Sequence, residues 1–284
     1  MNRGVKELAL AFDHVIHYVD DAHTLKDHFI NKGFHTIYGG RHEQRGSYNT
    51  LLHFGMEYIE FLSIDDRSLF DKVGAQDVAY SPFSSIVRDE FTEGFAKICL
   101  RTRDLNKLAQ TFKQKGLNVN GPVPLSRKRP DGKLLEWSLL FVGEEGSELP
   151  LPFFIDWHDT DQERLNELKE AKVVAPHSAG QWKIDSLLMA VHDAKQTAFK
   201  WAEWFDLEHK GSIYDPSLNA DIYTLQLPGG NLKFAQPKGQ GPVNEFLEQR
   251  GERPFQLMLT GSGQTELFTI HGGHYVFNGG ETHA

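Results

Sequence analysis

Hydrophobic and polar positions along the chain repeat as one alternating strand, one amphipathic helix and several short strands. The first copy opens with FDHVIHYVDDAHTLKDHFINKG at residues 12–33, and the second opens with FAKICLRTRDLNKLAQTFKQKG at residues 95–116. In both copies an Asp precedes hydrophobic residues spaced three and four apart, and a Gly follows them, which predicts a capped helix. A weaker third copy opens with Trp182.

Short alternating runs follow the first two predicted helices and are typical of strands. They lie at residues 36–44, 48–55 and 58–64 after the first helix, and at 119–125, 133–142 and 152–158 after the second. This order predicts βαβββ modules over residues 12–64 and 95–158. The aligned residues Asp21, Asp104 and Asp193 place the copies 83 and 89 residues apart, which is longer than a solenoid repeat and close to one small structural module.

The rest of the chain is predicted to form a second half of the same α+β class. A charged helix with spaced leucines, over residues 159–171, bridges the halves, and a boundary near residue 175 follows. We expect a third module with a helix over residues 194–205, and then a truncated fourth unit. The predicted domains are residues 1–174, with the paired modules, and residues 175–284.

Composition limits the classes of function. The chain has 284 residues, 39% of them hydrophobic, and no apolar run near the roughly 20 residues of a membrane helix. A net charge of -9 argues against nucleic-acid binding, and the basic cluster from Arg127 to Arg129 is interpreted as a solvated turn. The single cysteine, Cys99, excludes an intramolecular disulfide. We expect a cytoplasmic protein with a small-molecule partner, no nucleic-acid or membrane partner, and a homodimer as an open alternative.

The strand FDHVIHYV with its short helix, and the acidic strand EYIEFLSI that ends the first module, resemble the vicinal oxygen chelate superfamily. Within it the chain is similar to glyoxalase-like domain proteins, whose fold is shared by glyoxalases, extradiol dioxygenases and bleomycin-resistance proteins. The resemblance implies that two βαβββ modules pair so that their curved mixed sheets form a cup. It also implies metal ligands on the first and last strand of each module, which nominates His14 and Glu60.

Side-chain alternation supports the same two residues, because residues two apart on a strand share a face. Glu60 shares its face with Tyr58. His14 shares its face with Phe12 and Tyr18. Burying ionisable side chains is costly unless they pair, bind a metal or meet a ligand, so this face is a candidate site.

The same alternation assigns five polar side chains of the second module to the cup: Lys97, Cys99, Arg101, Asp156 and His158. Counting from the aligned aspartates, Lys97 takes the place of His14, and Asp156 takes that of Glu60. The predicted metal ligands are His14, Glu60 and Asp156, a set suited to Zn, Mn, Fe or Ni. Because an ammonium group does not coordinate, the alternative is a metal-free cup in which Lys97 pairs with Glu60 or Asp156.

Two functions of different class follow. The first is a metal-dependent enzyme, a lyase or isomerase in preference to a dioxygenase, acting on a small oxygenated metabolite chelated in the cup. Glu60 would carry the proton, and Lys97 or Arg101 would hold a substrate carboxylate or phosphate. The other predicted substrate-binding residues are Tyr18, Tyr58 and His158. The second function is a non-catalytic protein that sequesters a ligand without a metal.

Overall fold

Two curved mixed sheets form the framework of the protein. The structure is a computed structural model that describes residues 9–74, 79–129 and 131–280. The first sheet contains β1 (Ala11–Tyr18), β2 (Thr36–His42), β3 (Ser47–His53), β4 (Tyr58–Ile64), β5 (Gly94–Arg101), β6 (Asn118–Lys128), β7 (Leu134–Gly143) and β8 (Phe153–Asp156). Its strand order is β2-β3-β4-β1-β5-β8-β7-β6. The helices of this half are α1 (Ala22–Asn31), α2 (Arg67–Gly74), α3 (Pro82–Arg88), α4 (Leu105–Gln114) and α5 (Asp161–Glu170).

The second sheet belongs to the C-terminal half. It contains β9 (Trp182–Ala190), β10 (Glu208–Asp215), β11 (Ala220–Gln226), β12 (Asn231–Pro237), β13 (Arg253–Gly261), β14 (Glu266–Ile270) and β15 (Gly273–Gly279), in the order β10-β11-β12-β9-β13-β15-β14. Its helices are α6 (Ala194–Phe205) and α7 (Pro242–Arg250). Across the ranges that the structure describes, every helix is too short or too polar to cross a membrane.

The strand pairing confirms the predicted βαβββ modules and the α+β class. β1 runs parallel to β4, and β5 runs parallel to β8, so that each module closes on its own first strand. The antiparallel pair of β1 and β5 joins the two modules. The second sheet repeats this pattern with β9, β12, β13 and β15. The described residues between β13 and β14 form no helix, so the fourth unit is truncated as predicted.

Four elements lie where the sequence made no prediction: α2, α3, α7 and β10. Their signals are short or interrupted, since α3 spans only seven residues and β10 contains Gly211 at a φ of +97°. α3 matters for the site, because Ile86 on this helix packs into a buried apolar cluster on the inner face of the first sheet.

The outer faces of the two sheets enclose a layer of helices. Buried residues from both sheets and from α1, α4 and α6 form one continuous cluster, which includes Val15, Phe29, Ile59, Phe61, Ile98, Phe112, Phe154, Trp201, Phe205, Phe234, Leu257 and Phe277. Because this cluster contains residues on both sides of residue 175, hydrophobic burial stabilises the two halves together. The division into two domains stays a prediction.

His17 joins the first sheet to the second. The side chain is fully buried, and its Nε2 donates to the carbonyl oxygen of His271 at 2.7 Å. Its Nδ1 then accepts from the hydroxyl of Tyr275 at 2.6 Å, since a neutral imidazole has one donor and one acceptor nitrogen. His17 lies in the core, where side-chain alternation along β1 also places it, and its hydrogen-bond partners lie in the second half.

Gly273→Ala is expected to lower the free energy of unfolding by about 2 kcal/mol, the usual cost of overpacking a core. A Cβ at Gly273 would lie 2.6 Å from Cε1 of His17, whose ring is held by two hydrogen bonds. Urea unfolding measures the change. Gly280→Ala is the matched control, because a Cβ there meets nothing within 4 Å. Equal stabilities of the two variants would contradict the prediction.

The inner face of the first sheet is turned away from this core, and we call it the N-terminal cup. Its lining consists of His14, Ile16, Tyr18, Glu60, Leu62, Lys97, Cys99, Phe153 and Ile155. Most of these side chains are buried and apolar, so the ionisable ones stand in a largely nonpolar setting.

Candidate functional site

The structure brings His14 and Glu60 together in the N-terminal cup. In the parallel pair of β1 and β4, Tyr58 lies opposite His14, and Glu60 lies opposite Ile16. His14 Nε2 and Glu60 Oε2 are 3.4 Å apart, and the two side chains are 4% and 12% exposed. The two residues that the sequence nominated first are therefore neighbours, and their chemical roles stay predictions.

A β-bulge in β1 places Asp13 beside His14. The register with β5 shifts between Phe12 and His14, so Phe12 joins the core and not the cup, contrary to the expected alternation. Nδ1 of His14 donates to Asp13 Oδ1 at 2.7 Å, and Trp157 Nε1 donates to Asp13 Oδ2 at 3.0 Å. Asp13 thereby occupies Nδ1 and directs the other ring nitrogen at Glu60.

The other carboxylate oxygen of Glu60, Oε1, accepts a hydrogen bond from Asn49, which Arg127 holds in turn. Asn49 Nδ2 donates to Glu60 Oε1 at 2.5 Å, and Arg127 donates to Asn49 Oδ1 at 3.1 Å. Arg127 lies on the edge strand β6 and contacts Asn49 on β3, and it also lies 3.3 Å from His42 Nε2 on the other edge strand, β2, so the sheet curls until its two edges approach each other. Burial alone would raise the pKa of Glu60, but the hydrogen bond and charge of His14 outweigh it and hold that pKa at about 2.

The surroundings of His14 favour its protonated form. Burial alone would lower its pKa, yet its neighbours raise that pKa well above the usual value. Two of these neighbours, Tyr58 and Cys99, are uncharged near neutral pH, because burial raises the pKa of Tyr58 well above its usual value and that of Cys99 to about 12. The carboxylates of Asp13 and Glu60 thus supply the negative charge that stabilises the imidazolium.

Aromatic rings and a thiol surround the imidazole of His14. The rings of His14 and Tyr58 stack at 4.5 Å between centroids, and Phe153 meets His14 edge-on at 5.4 Å. Cys99 lies directly across from His14 in the β1 and β5 pair. Asp13, His14 and Cys99 each place a donor atom within 4.8 Å of the others. These contacts leave His14 little rotational freedom.

Lys97 lies in the cup but apart from the His14 and Glu60 pair. It is 2% exposed, and its Nζ donates to the carbonyl oxygen of Tyr80 at 2.6 Å. Burial lowers the pKa of Lys97 to about 7. Among the described residues no acid forms an ion pair with Lys97, so the expected pairing with Glu60 or Asp156 is wrong.

Tyr18 also faces the cup and packs against Phe91.

The assignment of Asp156 to the cup is wrong. Phe153 and Ile155 pack in the cup, whereas Phe154 belongs to the core between the sheets. Asp156 shares the face of Phe154 and therefore points away from His14. The reason is register: the partner of Cys99 on β8 is Phe153, so Phe153 and not Asp156 corresponds to Glu60 of the first module.

His158 and Arg101 also lie outside the site. Exposed His158 follows β8, and its backbone N–H donates to Asp156 at 2.8 Å. Arg101 forms ion pairs with Glu57 at 3.0 Å and Asp161 at 3.1 Å, and it lines a separate cavity. Neither residue contacts His14 or Glu60 in the described structure, and their substrate-binding roles stay predictions.

Sequence reasoning missed Asp13, Asn49, Arg127 and Trp157. Strand alternation assigned Asp13 to the other face, and a bulge has no signal in a single sequence. Arg127 was interpreted as part of a solvated turn, but it lies within β6, and its Nε is buried without a hydrogen-bond partner among the described residues.

The donor atoms around Nε2 of His14 fit a divalent ion. The 3.4 Å between Nε2 and Glu60 Oε2 is a separation expected of two ligands that each lie about 2.1 Å from one ion. Asp13 gives the carboxylate support that metal-ligating histidines usually have. Cys99 has a donor atom within 4.8 Å of donor atoms of His14 and Asp13, a set that does not include Glu60, and a thiolate beside an imidazole and a carboxylate suits zinc. Binding would release the proton that the imidazolium of His14 carries on Nε2, and ligation by Cys99 would also release the proton that burial keeps on its thiol.

Two βαβββ modules that curl around a cup, with His14 on the first strand and Glu60 on the last strand of one module, define the glyoxalase and dioxygenase fold class. The chain belongs to the Glyoxalase-like domain family, whose sequence profile matches residues 12–205. This match confirms the resemblance inferred from the sequence. A comparison with curated proteins gave no match.

Solved structures share the fold. A hypothetical protein from Staphylococcus aureus is 22% identical and has a TM-score of 0.77, over 95% of this chain and 99% of that chain. A mutant of 4-hydroxymandelate synthase from Streptomyces coelicolor is 12% identical with a TM-score of 0.58, over 89% and 71%. A fusion of a xylose isomerase-like TIM barrel with 4-hydroxyphenylpyruvate dioxygenase is 16% identical with a TM-score of 0.50, over 95% and 42%. At these identities the likeness shows the fold alone.

Proposed function

We propose that the protein is a metal-dependent lyase or isomerase that moves a proton on a small oxygenated metabolite bound in the N-terminal cup. The observation that carries this proposal is the buried pair of His14 and Glu60, with donor atoms 3.4 Å apart and Asp13 behind the imidazole. A divalent ion held by His14 and Glu60 would polarise substrate oxygens as a Lewis acid.

The chain's own residues prepare Glu60 to exchange a proton. The carboxylate of Glu60 is in the ionised form that a proton acceptor requires, and in the proposed reaction it would take a proton from a substrate carbon and return it to a neighbouring atom. The hydrogen bond from Asn49 to Oε1 leaves Oε2 directed at His14 and the cup. Ile16 and Phe153 keep water from this part of the cup, and interactions between charges are stronger in such a setting.

Metal content tests the proposal. Wild-type protein purified from metal-replete medium is expected to retain a stoichiometric divalent ion, and His14→Ala and Glu60→Ala are expected to lose it. Asp156→Ala is the matched control, because Asp156 was the third ligand expected from sequence and lies on the outer face. A wild-type protein that neither retains nor takes up an ion, or a His14→Ala variant with wild-type metal content, would refute the proposal.

Asp13→Asn is expected to weaken zinc binding about 10- to 100-fold, the usual cost of losing the carboxylate behind a metal-ligating histidine. The amide removes the negative charge that orients Nδ1 of His14. Competition with a chromophoric chelator measures the affinity. Trp157→Phe removes one hydrogen-bond donor to Asp13 but leaves the negative charge of Asp13 in place, so a smaller loss of zinc affinity is expected. Equal affinities of Asp13→Asn and the wild type would show that Asp13 is not a supporting group.

A second candidate function is ligand sequestration without chemistry. It is favoured by the second module, where Lys97 and Phe153 stand at the positions that correspond to His14 and Glu60. Neither side chain is a usual metal ligand. A metal-free wild type whose melting temperature rises with a small oxygenated ligand would favour this function.

A further inference from the structure

A cavity of about 500 Å³ lies outside the N-terminal cup and is not used by the proposed function. It is bounded by the start of β1, the end of β5, the first turns of α5, the end of α6 and the loop before β12. The residues of its lining that matter here are Leu10, Arg101, Trp157, Arg164, Leu207 and Pro228. Such a volume admits a small metabolite.

Arg164 lines this cavity as a buried guanidinium without a polar partner. The residue is 8% exposed, and the centre of the guanidinium lies 3.3 Å from the ring centroid of Trp157. The guanidinium of Arg164 forms no hydrogen bond or ion pair with any residue that the structure describes, whereas its backbone N–H donates to the carbonyl oxygen of Thr160 at 2.9 Å. Because the guanidinium nitrogens make no hydrogen bond within the described part of the chain and yet are not sealed from solvent, they open on the cavity, where an acceptor from outside the chain can meet the five N–H donors.

The other charged groups of the cavity are largely balanced. Arg101 is neutralised by Glu57 and Asp161. Arg103, Asp159 and Asp206 also line the wall. Arg164 and Arg103 are the cations of the lining that form no ion pair among the described residues, and Arg164 is the buried one, with Asp13, Glu167 and Asp159 acting on it only as nearby charges.

We propose that this cavity binds the anionic group of a small molecule, a carboxylate or a phosphate ester, with Arg164 as its main ligand. A planar guanidinium donates two parallel hydrogen bonds to either group. The apolar part of the molecule would lie along Leu10, Leu207 and Pro228. The inference does not depend on the metal chemistry proposed for the cup.

The cavity also contacts the candidate site through one residue. Trp157 packs under Arg164, and its indole nitrogen donates to Asp13, which holds His14. An anion that draws Arg164 from the indole face would alter the surroundings of Trp157. Tryptophan fluorescence, to which Trp157 contributes as one of five tryptophans, is therefore expected to change on binding.

Titration with inorganic phosphate and, separately, with acetate at constant ionic strength tests the proposal, with tryptophan fluorescence and melting temperature as readouts. Wild-type protein is expected to show saturable changes with at least one anion. Arg164→Gln is expected to weaken binding at least about tenfold, as loss of a charge-assisted contact implies. Arg164→Lys keeps the positive charge but not the two parallel N–H donors of the guanidinium, and it is expected to bind the anion more weakly than the wild type. Arg129→Gln is the matched control, because Arg129 contacts α5 through Glu167 and does not line the cavity.

The outcomes separate the sources of the anion. Saturation by phosphate alone assigns the cavity to a phosphate ester, and saturation by acetate alone assigns it to a carboxylate. If phosphate and acetate both saturate the wild type, and this response is lost in Arg164→Gln and kept in Arg129→Gln, the cavity binds either kind of oxyanion. Absence of saturation in the wild type, or an unchanged response in Arg164→Gln, would overturn the proposal whatever the metal content of the cup.

Discussion

Glu60→Gln is expected to lower the affinity for Zn²⁺ by more than about 100-fold, because loss of a ligand charge exceeds the 10- to 100-fold cost of losing a supporting group. The substitution keeps the shape of the side chain and an oxygen that can accept from Asn49. It removes the negative charge that lies 3.4 Å from His14 Nε2. The pKa of His14, which its neighbours raise, should therefore fall in the same variant.

Chelator competition measures the zinc affinity, and an NMR titration of the imidazole measures the pKa of His14. Asp156→Gln is the matched control, since it also removes a carboxylate but on the outer face of β8. This control should bind zinc like the wild type and leave the titration of His14 unchanged. Similar zinc affinities for Glu60→Gln and Asp156→Gln would contradict the assignment of Glu60.

The regular parts of the modules were predictable because local pattern determines them. Residues 194–205 were predicted as a helix, and α6 has those bounds. On β4 the alternation of Tyr58, Glu60 and Leu62 correctly gave the inward face, because its pairing with β1 and β3 continues without a shift. Strand period is a property of the backbone, so it is readable wherever no bulge intervenes.

The prediction failed where pairing changes register. The shift in β1 turned Phe12 into the core and brought Asp13 to His14. On β8 the aligned aspartates gave no information about where the strand pairs with β5, and a one-residue error in register exchanges the two faces. Asp156 was assigned inward for that reason, whereas Phe153 occupies the position.

Partners distant in sequence were also outside the reach of pattern. Arg127 and Asn49 meet only because the sheet curls until β6 approaches β3. Arg164 lies on the buried face of α5 with Leu168, four residues later. An arginine on the apolar face of a predicted helix was a usable signal for the cavity, and interpreting that helix only as a bridge overlooked it.

Acidification from pH 7 to pH 4.5 is expected to lower the free energy of unfolding by about 5 kcal/mol, because two buried histidines must stay neutral in the folded protein. Burial lowers the pKa of His17 to about 4 and that of His53 to about 3. The unfolded chain takes up protons on both below its ordinary pKa of 6.5, so stability is full above that pH and falls as pH decreases. His42, whose pKa burial also lowers to about 4, adds a further loss to the about 5 kcal/mol that His17 and His53 contribute.

His14 and Glu60, the two charged groups of the site, do not account for a loss of stability between pH 7 and pH 4.5. His14 has a raised pKa, so its contribution is complete below its unfolded pKa and is lost only as pH rises through the folded value. Glu60 has a lowered pKa, so its contribution is lost only as pH falls from its ordinary value of 4.5 toward about 2.

Urea unfolding at a series of pH values between 7 and 4.5 measures the effect, with His17→Phe as the diagnostic variant. This variant loses the hydrogen bonds to Tyr275 and His271, so it should be less stable at pH 7, yet its stability should depend less steeply on pH. His23→Phe, at an exposed histidine of α1, should keep the wild-type slope. If the unfolding free energies of His17→Phe and the wild type depend equally on pH, His17 is not a neutral imidazole in the core. Its ring would then titrate in the folded protein like a solvated side chain.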